Sequence, residues 1–264
     1  MERKKASDFP PEVLKLFDRY IHGTMSRREF LDRSSRYAVG GFTALAMLEA
    51  LSPNYALAQQ VPKDDRRIKA GYVEYDSPRG SGKIRSYMAH PAAGSRHPGV
   101  ALIHENRGLT PYNEDVARRL ALQGYLVIAP DALSPLGGYP GNDDEAMKAF
   151  AKLDPAKRDE DLVTAFEAVG KRPESNGRVG ALGFCFGGGI VGKMAVRYPT
   201  LAAAAMFYPT ARPNAADTAK IKAPLLILLG EKDERFTPAW LGFESTLKEA
   251  GVRYQRRVYE NADH

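Results

Sequence analysis

The sequence predicts an α/β fold, a mostly parallel sheet of about eight strands with helices on both faces. Three observations carry this expectation. Short continuous apolar runs, PGVALIH at Pro98–His104, YLVIA at Tyr125–Ala129 and PLLILL at Pro224–Leu229, suit strands buried on both sides. Segments with helical spacing of apolar residues stand between such runs. The chain has 264 residues, 44% hydrophobic and 27% charged, which fits one large globular core better than several small ones.

The elements follow in order. Gly71–Tyr75 and Ile84–His90 alternate apolar and polar residues, as half-buried strands do. They flank Ser77-Pro78-Arg79-Gly80-Ser81-Gly82, so the two strands form a hairpin. Strands at Pro98–His104 and Tyr125–Ala129 enclose a helix at Asn113–Gln123, with Gly124 as its C-terminal stop. Helices follow at Asp144–Leu153 and Asp159–Gly170, then a strand at Arg178–Leu182 and a helix at Gly187–Tyr198. Leu201–Tyr208 and Pro224–Leu229 read as strands, Ala239–Ala250 as a helix stopped by Gly251, and Arg253–Tyr259 as the last strand.

The N-terminal region stands apart. Residues 1–25 are polar, and Ser26-Arg27-Arg28-Glu29-Phe30-Leu31 resembles the twin-arginine export signature. An apolar run from Tyr37 to Leu51 follows, and Ala56-Leu57-Ala58 offers a small-residue cleavage site before Gln59. At roughly 15 residues that run is short for a bilayer, which needs roughly 20, so stable membrane insertion is not expected. The expectation is a leader over 1–58, a linker over 59–69 and the α/β domain over 70–264, in a protein exported to the periplasm.

Composition excludes two classes. The net charge is +6, but the basic residues form no stripe or patch, so nucleic acid is not an expected partner. A single cysteine excludes an intramolecular disulfide framework and a cysteine-rich zinc site.

The chemistry gathers at the carboxyl ends of the strands, where open α/β sheets bind ligands. Gly183-Phe184-Cys185-Phe186-Gly187 places Gly-x-Cys-x-Gly between a strand and a helix, the nucleophile-elbow pattern with Cys in place of Ser. The flanking glycines suit a tight turn, and the helix N-terminus favours a thiolate. Gly187-Gly188-Gly189-Ile190-Val191-Gly192-Lys193 has P-loop spacing, but Met194 stands where a magnesium-holding Ser or Thr belongs, which rejects it. Asp233, in Gly230-Glu231-Lys232-Asp233, and His264 each follow a strand. The order Cys185, Asp233, His264 is nucleophile, acid, base, that of α/β-hydrolase triads. Ile103-His104-Glu105-Asn106-Arg107-Gly108 follows the strand whose loop helps to build an oxyanion hole. Both His104 and Glu105 are candidate bases there.

GFCFGG, IHENRG, Pro130-Asp131 after YLVIA, and LLGEKD followed by a terminal NADH resemble the dienelactone hydrolases over about residues 70–264. The resemblance implies an α/β-hydrolase fold with Cys185 as nucleophile, His264 as base and Asp233 as its orienting acid. It makes Glu105 the group that helps to take the thiol proton, and the backbone N–H groups of Asn106 and Phe186 the oxyanion hole. It implies hydrolysis of a small ester or lactone through a thioester, with no cofactor and no metal. Arg107 and Arg235 are the candidates for a substrate carboxylate. A homo-oligomer is compatible with this reading.

In that family a further helix follows the histidine, whereas this sequence stops at His264. The expectation is therefore a domain lacking its C-terminal helix. Two other readings stand beside the hydrolase: a truncated, inactive hydrolase-like protein, and a thiol-based redox or binding protein.

Overall fold

The computed structural model describes residues 8–39 and 42–264. Gly40 and Gly41, inside the apolar run expected over Tyr37–Leu51, and residues 1–7 of the polar N-terminal stretch lie outside the described residues. The chain divides into two compact units, Met1–Ala58 and Gln59–His264.

The first unit is helical: α1 (Pro11–Ile21), α2 (Arg27–Ser34), α3 (Ala44–Leu51) and α4 (Tyr55–Ala58). The Ser-Arg-Arg motif opens α2. Ser26 accepts a hydrogen bond from the Glu29 N–H at 3.2 Å, and the Glu29 carboxylate accepts one from the Ser26 N–H at 2.9 Å. This capping box satisfies two donors that a helix start leaves open, and it leaves Arg27 and Arg28 exposed. Phe17, Tyr20 and Phe30 form an aromatic cluster with ring centroids 5.7–6.1 Å apart. No helix among the described residues is long and apolar enough to cross a membrane.

The second unit carries β1 (Ile68–Ser77), β2 (Gly82–Pro91), β3 (His97–Ile103), α5 (Pro111–Leu122), β4 (Leu126–Pro130), α6 (Asp143–Phe150), α7 (Pro155–Val163) and α8 (Ala165–Gly170). It continues with β5 (Ser175–Phe184), α9 (Phe186–Arg197), β6 (Ala204–Phe207), α10 (Ala215–Thr218), β7 (Leu225–Gly230), α11 (Thr237–Gly242), α12 (Glu244–Glu249) and β8 (Tyr254–Tyr259). The eight strands form one sheet in the order β1-β2-β4-β3-β5-β6-β7-β8. β1 and β2 form the expected hairpin, β2 runs antiparallel to β4, and the other neighbours are parallel. This is the α/β-hydrolase arrangement.

Strand alternation divides the core between the two faces. Ala101 and Ile103 of β3 join Ile128, Leu133, Leu162 and Val191 on one side, and Leu102 joins Val127, Ala129 and Val116 on the other. Both faces are apolar because parallel central strands are covered by helices on both sides.

Two expected helices are each divided. The helix expected over Asp159–Gly170 starts earlier, at Pro155, where the Asp154 carboxylate accepts the Lys157 N–H at 2.9 Å, and it breaks at Thr164. The helix over Ala239–Ala250 breaks at Phe243. Apolar spacing cannot register such breaks, since both halves face the same core. The strand expected over Leu201–Tyr208 shrinks to Ala204–Phe207, and α10 gave no periodic signal.

Candidate active site

The site is assembled at the carboxyl ends of β3, β5, β6 and β7, together with the residues after β8. Cys185 sits between β5 and α9 with φ 52° and ψ −116°, a conformation that an L-residue adopts only when its surroundings hold it there. They do so through backbone hydrogen bonds. The Cys185 N–H donates to the Phe207 carbonyl at 3.0 Å, and the Cys185 carbonyl accepts from Thr210 at 3.3 Å. The glycines are required by space. A Cβ at Gly183 would lie 2.3 Å from the Gly187 carbonyl oxygen, and one at Gly187 would lie 2.4 Å from that of Ile103.

His264 and Asp233 pair directly. The imidazole Nδ1 lies 2.6 Å from Asp233 Oδ2, and both side chains are buried. Asp233 Oδ1 accepts the N–H groups of Arg235 and Phe236, each at 3.2 Å. Burial by itself would raise the Asp233 carboxyl, but the His264 hydrogen bond and charge, with these two N–H donors, hold it below its ordinary value. Tyr208 and Phe236 place their rings 4.9 and 5.2 Å from the imidazole. The Cys185 sulfur and a ring nitrogen of His264 lie within 4.8 Å of each other.

The resting thiol is protonated. Burial first, and the Glu105 charge second, push the Cys185 thiol up to about 12, against the Phe186 N–H and the charges of Arg107 and Arg235. The thiolate expected from the helix N-terminus is thus overridden by loss of solvent.

His104 and Glu105 differ in their hydrogen bonding. His104 is fully buried. Its Nδ1–H donates to the Glu105 carbonyl at 2.5 Å and its Nε2 accepts the Ala132 N–H at 3.1 Å. With both nitrogens engaged by backbone, and burial foremost in lowering its affinity for a proton, His104 is a structural residue. Glu105 is only partly buried, and its Oε2 accepts from the Asn113 amide at 3.2 Å.

Asp131 ties the Glu105 loop down. Its Oδ1 accepts the N–H of Leu109 at 3.2 Å and of Leu133 at 2.9 Å, and its Oδ2 that of Tyr139 at 3.1 Å. The two arginines differ. Arg107 lies 3.5 Å from Asp143, whose other oxygen accepts the Tyr139 hydroxyl at 2.8 Å. Arg235 is exposed, with its guanidinium 5.0 Å from the Phe236 ring centroid. Asn106 and Phe186, the candidate oxyanion donors, flank the site on the β3 loop and at the start of α9. Thr110, Asn113, Tyr208 and Phe236 were not singled out by sequence. The Thr-x-x-Asn spacing before α5 is a capping box in the structure, a signal that could have found the first two.

The profile of the dienelactone hydrolase family matches residues 84–264. The chain belongs to the dienelactone hydrolase family. A second profile, described as YqhI-like, matches residues 1–39. The chain is 54% identical over 114 residues to the fragment YghX of Escherichia coli (strain K12), covering 43% of this chain and 97% of that fragment. It is 31% identical over 203 residues to a Synechocystis protein named as a carboxymethylenebutenolidase, covering 69% of this chain and 80% of the other. A crystal structure from Klebsiella pneumoniae, described as a dienelactone hydrolase, superposes with a TM-score of 0.64 at 27% identity, covering 75% of this chain and 87% of that one.

Proposed function

We propose that this protein hydrolyses a small ester or lactone, with Cys185 as nucleophile, His264 as base and Asp233 as its orienting acid. The observation that carries this is the 2.6 Å Asp233–His264 pair beside the strained, buried Cys185. Membership of the dienelactone hydrolase family supports the same substrate class. Substrate binding brings the thiol proton to Glu105, and the thiolate attacks the ester carbonyl carbon. The N–H groups of Asn106 and Phe186 stabilise the tetrahedral oxyanion, each worth roughly 10²–10³ in rate. Collapse expels the alcohol oxygen, which takes up the proton held by Glu105, and leaves a thioester on Cys185. His264 Nε2 then takes a proton from water as it adds to the thioester, and the thiol returns with release of the acid. Arg107 and Arg235 attract a substrate carboxylate. A thiol-redox role is disfavoured by a thiol held at about 12, since so little thiolate forms near neutral pH.

The test is turnover of p-nitrophenyl acetate and of an unsaturated five-membered lactone. Cys185→Ala is expected to lose at least about 10³-fold in kcat/KM, and EDTA to leave turnover unchanged. Full activity in Cys185→Ala overturns the triad, and loss of activity to EDTA points to a metal mechanism.

The leader over residues 1–58 is proposed to direct export by the twin-arginine route, with cleavage after Ala58. The exposed Arg27 and Arg28 and the boundary between compact units at Ala58 support this reading. Mass spectrometry of the periplasmic fraction is expected to find Gln59 at the N-terminus. A wholly cytoplasmic protein, unaffected by Arg27→Lys with Arg28→Lys, overturns it.

A further inference from the structure

We propose that Asn113 is a positioning residue that holds the Glu105 carboxylate in place to receive the thiol proton; this rests on the role given to Glu105 above.

Asn113 is fully buried in the first turn of α5. Its Oδ1 accepts the Thr110 hydroxyl at 2.9 Å and the Thr110 N–H at 3.3 Å. An N–H can only donate, so this contact decides which end of the amide is the oxygen. The NH₂ end is left aimed at Glu105 Oε2, 3.2 Å away.

Capping alone does not call for an amide. A carboxylate or a hydroxyl at 113 would accept from Thr110 equally well. A carboxylate has no proton to give Glu105, and a serine hydroxyl is an atom shorter, whereas an amide accepts at one end and donates at the other. A buried amide is costly when either end lacks a partner, and here both ends are satisfied. Glu105 stands on a loop, and its long side chain has rotamer freedom to lose. One buried donor fixes the carboxylate in a single position.

Several other groups face Glu105. They are the Cys185 thiol, the Tyr112 and Tyr208 phenols, and the neighbouring His104 ring. Burial, then the Glu105 charge, raises both phenols, so they stay protonated through the working range. Burial keeps His104 neutral. Arg107, on the same loop, carries a fixed charge. His264 is unchanged in every variant below and belongs to the common background.

The experiment uses the full chain and measures kcat and KM for p-nitrophenyl acetate from pH 5 to 9, beside melting temperature. Asn113→Asp keeps the cap but faces Glu105 with a second carboxylate, and two carboxylates so close share a proton. The acid limb of kcat/KM is expected to move up by at least about one pH unit. Asn113→Ser keeps a capping hydroxyl but cannot reach Glu105. It is expected to lower kcat about tenfold with KM within about twofold. Glu105→Gln should remove the limb, and the Asn113→Asp, Glu105→Gln double variant should match Glu105→Gln alone.

An unmoved limb in Asn113→Asp, or unchanged kcat in Asn113→Ser, while Glu105→Gln is impaired, overturns the proposal and leaves the role of Glu105 standing. If Asn113→Asp does not fold, Asn113→Ser decides the matter. Wild-type activity in Glu105→Gln removes the role of Glu105, and this proposal with it.

Discussion

Cys185 illustrates how one side chain's chemistry depends on its surroundings. The helix start behind it and two arginines favour the thiolate, yet burial and the Glu105 charge prevail. The folded chain therefore holds a neutral thiol, which reacts slowly with electrophiles. With the thiol at about 12 against an ordinary 9.0, the thiolate fraction at pH 8 is about 10³ lower than for a free cysteine. Iodoacetamide labelling of the folded chain at pH 8 is expected to be slower than that of the denatured chain by about this factor. It should rise about tenfold per pH unit between pH 9 and 12. The linkage sign follows: the folded thiol binds its proton more tightly than the unfolded one. Its contribution to stability is complete below pH 9 and is lost as pH rises towards 12. Equal labelling rates for folded and denatured chains at pH 8 would contradict a buried neutral thiol.

The elbow shows why one short element needs its glycines. β5 delivers the chain to Cys185, and α9 leaves so steeply that Gly187 passes against the carbonyls of Ile103 and His104. An added Cβ would meet them at 2.4 and 2.6 Å. Neither neighbour is the movable end of a side chain, so the strain must be taken up by β3 or by the elbow itself. Gly187→Ala is expected to destabilise the fold by about 1–3 kcal/mol. It should also abolish turnover even where the protein remains soluble, because the loop after β3 carries Glu105 and Asn106. Urea unfolding and ester turnover check both parts. A Gly187→Ala variant with wild-type values for both would show that the elbow has slack that the distances deny. The sequence motif named the glycines here, and the collision distances give the reason.

At the scale of the molecule, the second unit ties down its own first residues. The N–H groups of Gln60 and Val61 donate to the buried Asp115 Oδ1 at 3.1 and 2.9 Å. Arg118, 1% exposed, donates to the Val61 carbonyl at 2.8 Å and to the Tyr87 hydroxyl at 3.0 Å, and pairs with Asp115 at 3.3 Å. Val61 packs into the cluster formed by Leu102, Val116 and Val127. Strand β2, the start of the unit and α5 are thus joined through one ion pair. Asp115→Ala leaves a buried guanidinium without its nearest carboxylate, a change that costs about 3–5 kcal/mol. The expected fall in melting temperature is roughly 10 °C for a chain of this size. A fall of less than about 2 °C would show that Glu114, 3.9 Å from Arg118, takes over the charge.

Periodicity determined much of this fold unaided. The runs PGVALIH, YLVIA and PLLILL became β3, β4 and β7 with ends displaced by a residue or two, because a strand buried on both faces needs such a run wherever it lies. The glycine spacing around Cys185 and the chain order Cys185, Asp233, His264 were equally legible, since an elbow and a strand end are local features. Tertiary structure alone decided the rest. His104 and Glu105 are adjacent and both able to accept a proton. Burial and the Ala132 N–H, 28 positions away, engage the histidine with backbone and leave Glu105 facing the site. The antiparallel pairing of β2 with β4 and the breaks at Thr164 and Phe243 leave no periodic trace. Asn113 read only as the first residue of a helix, because its partner Glu105 comes from the preceding loop. Protonation of Cys185 depends on burial by distant segments. A residue's type sets what it can donate, accept or bury, but which of these it does depends on groups that only the folded chain brings within reach.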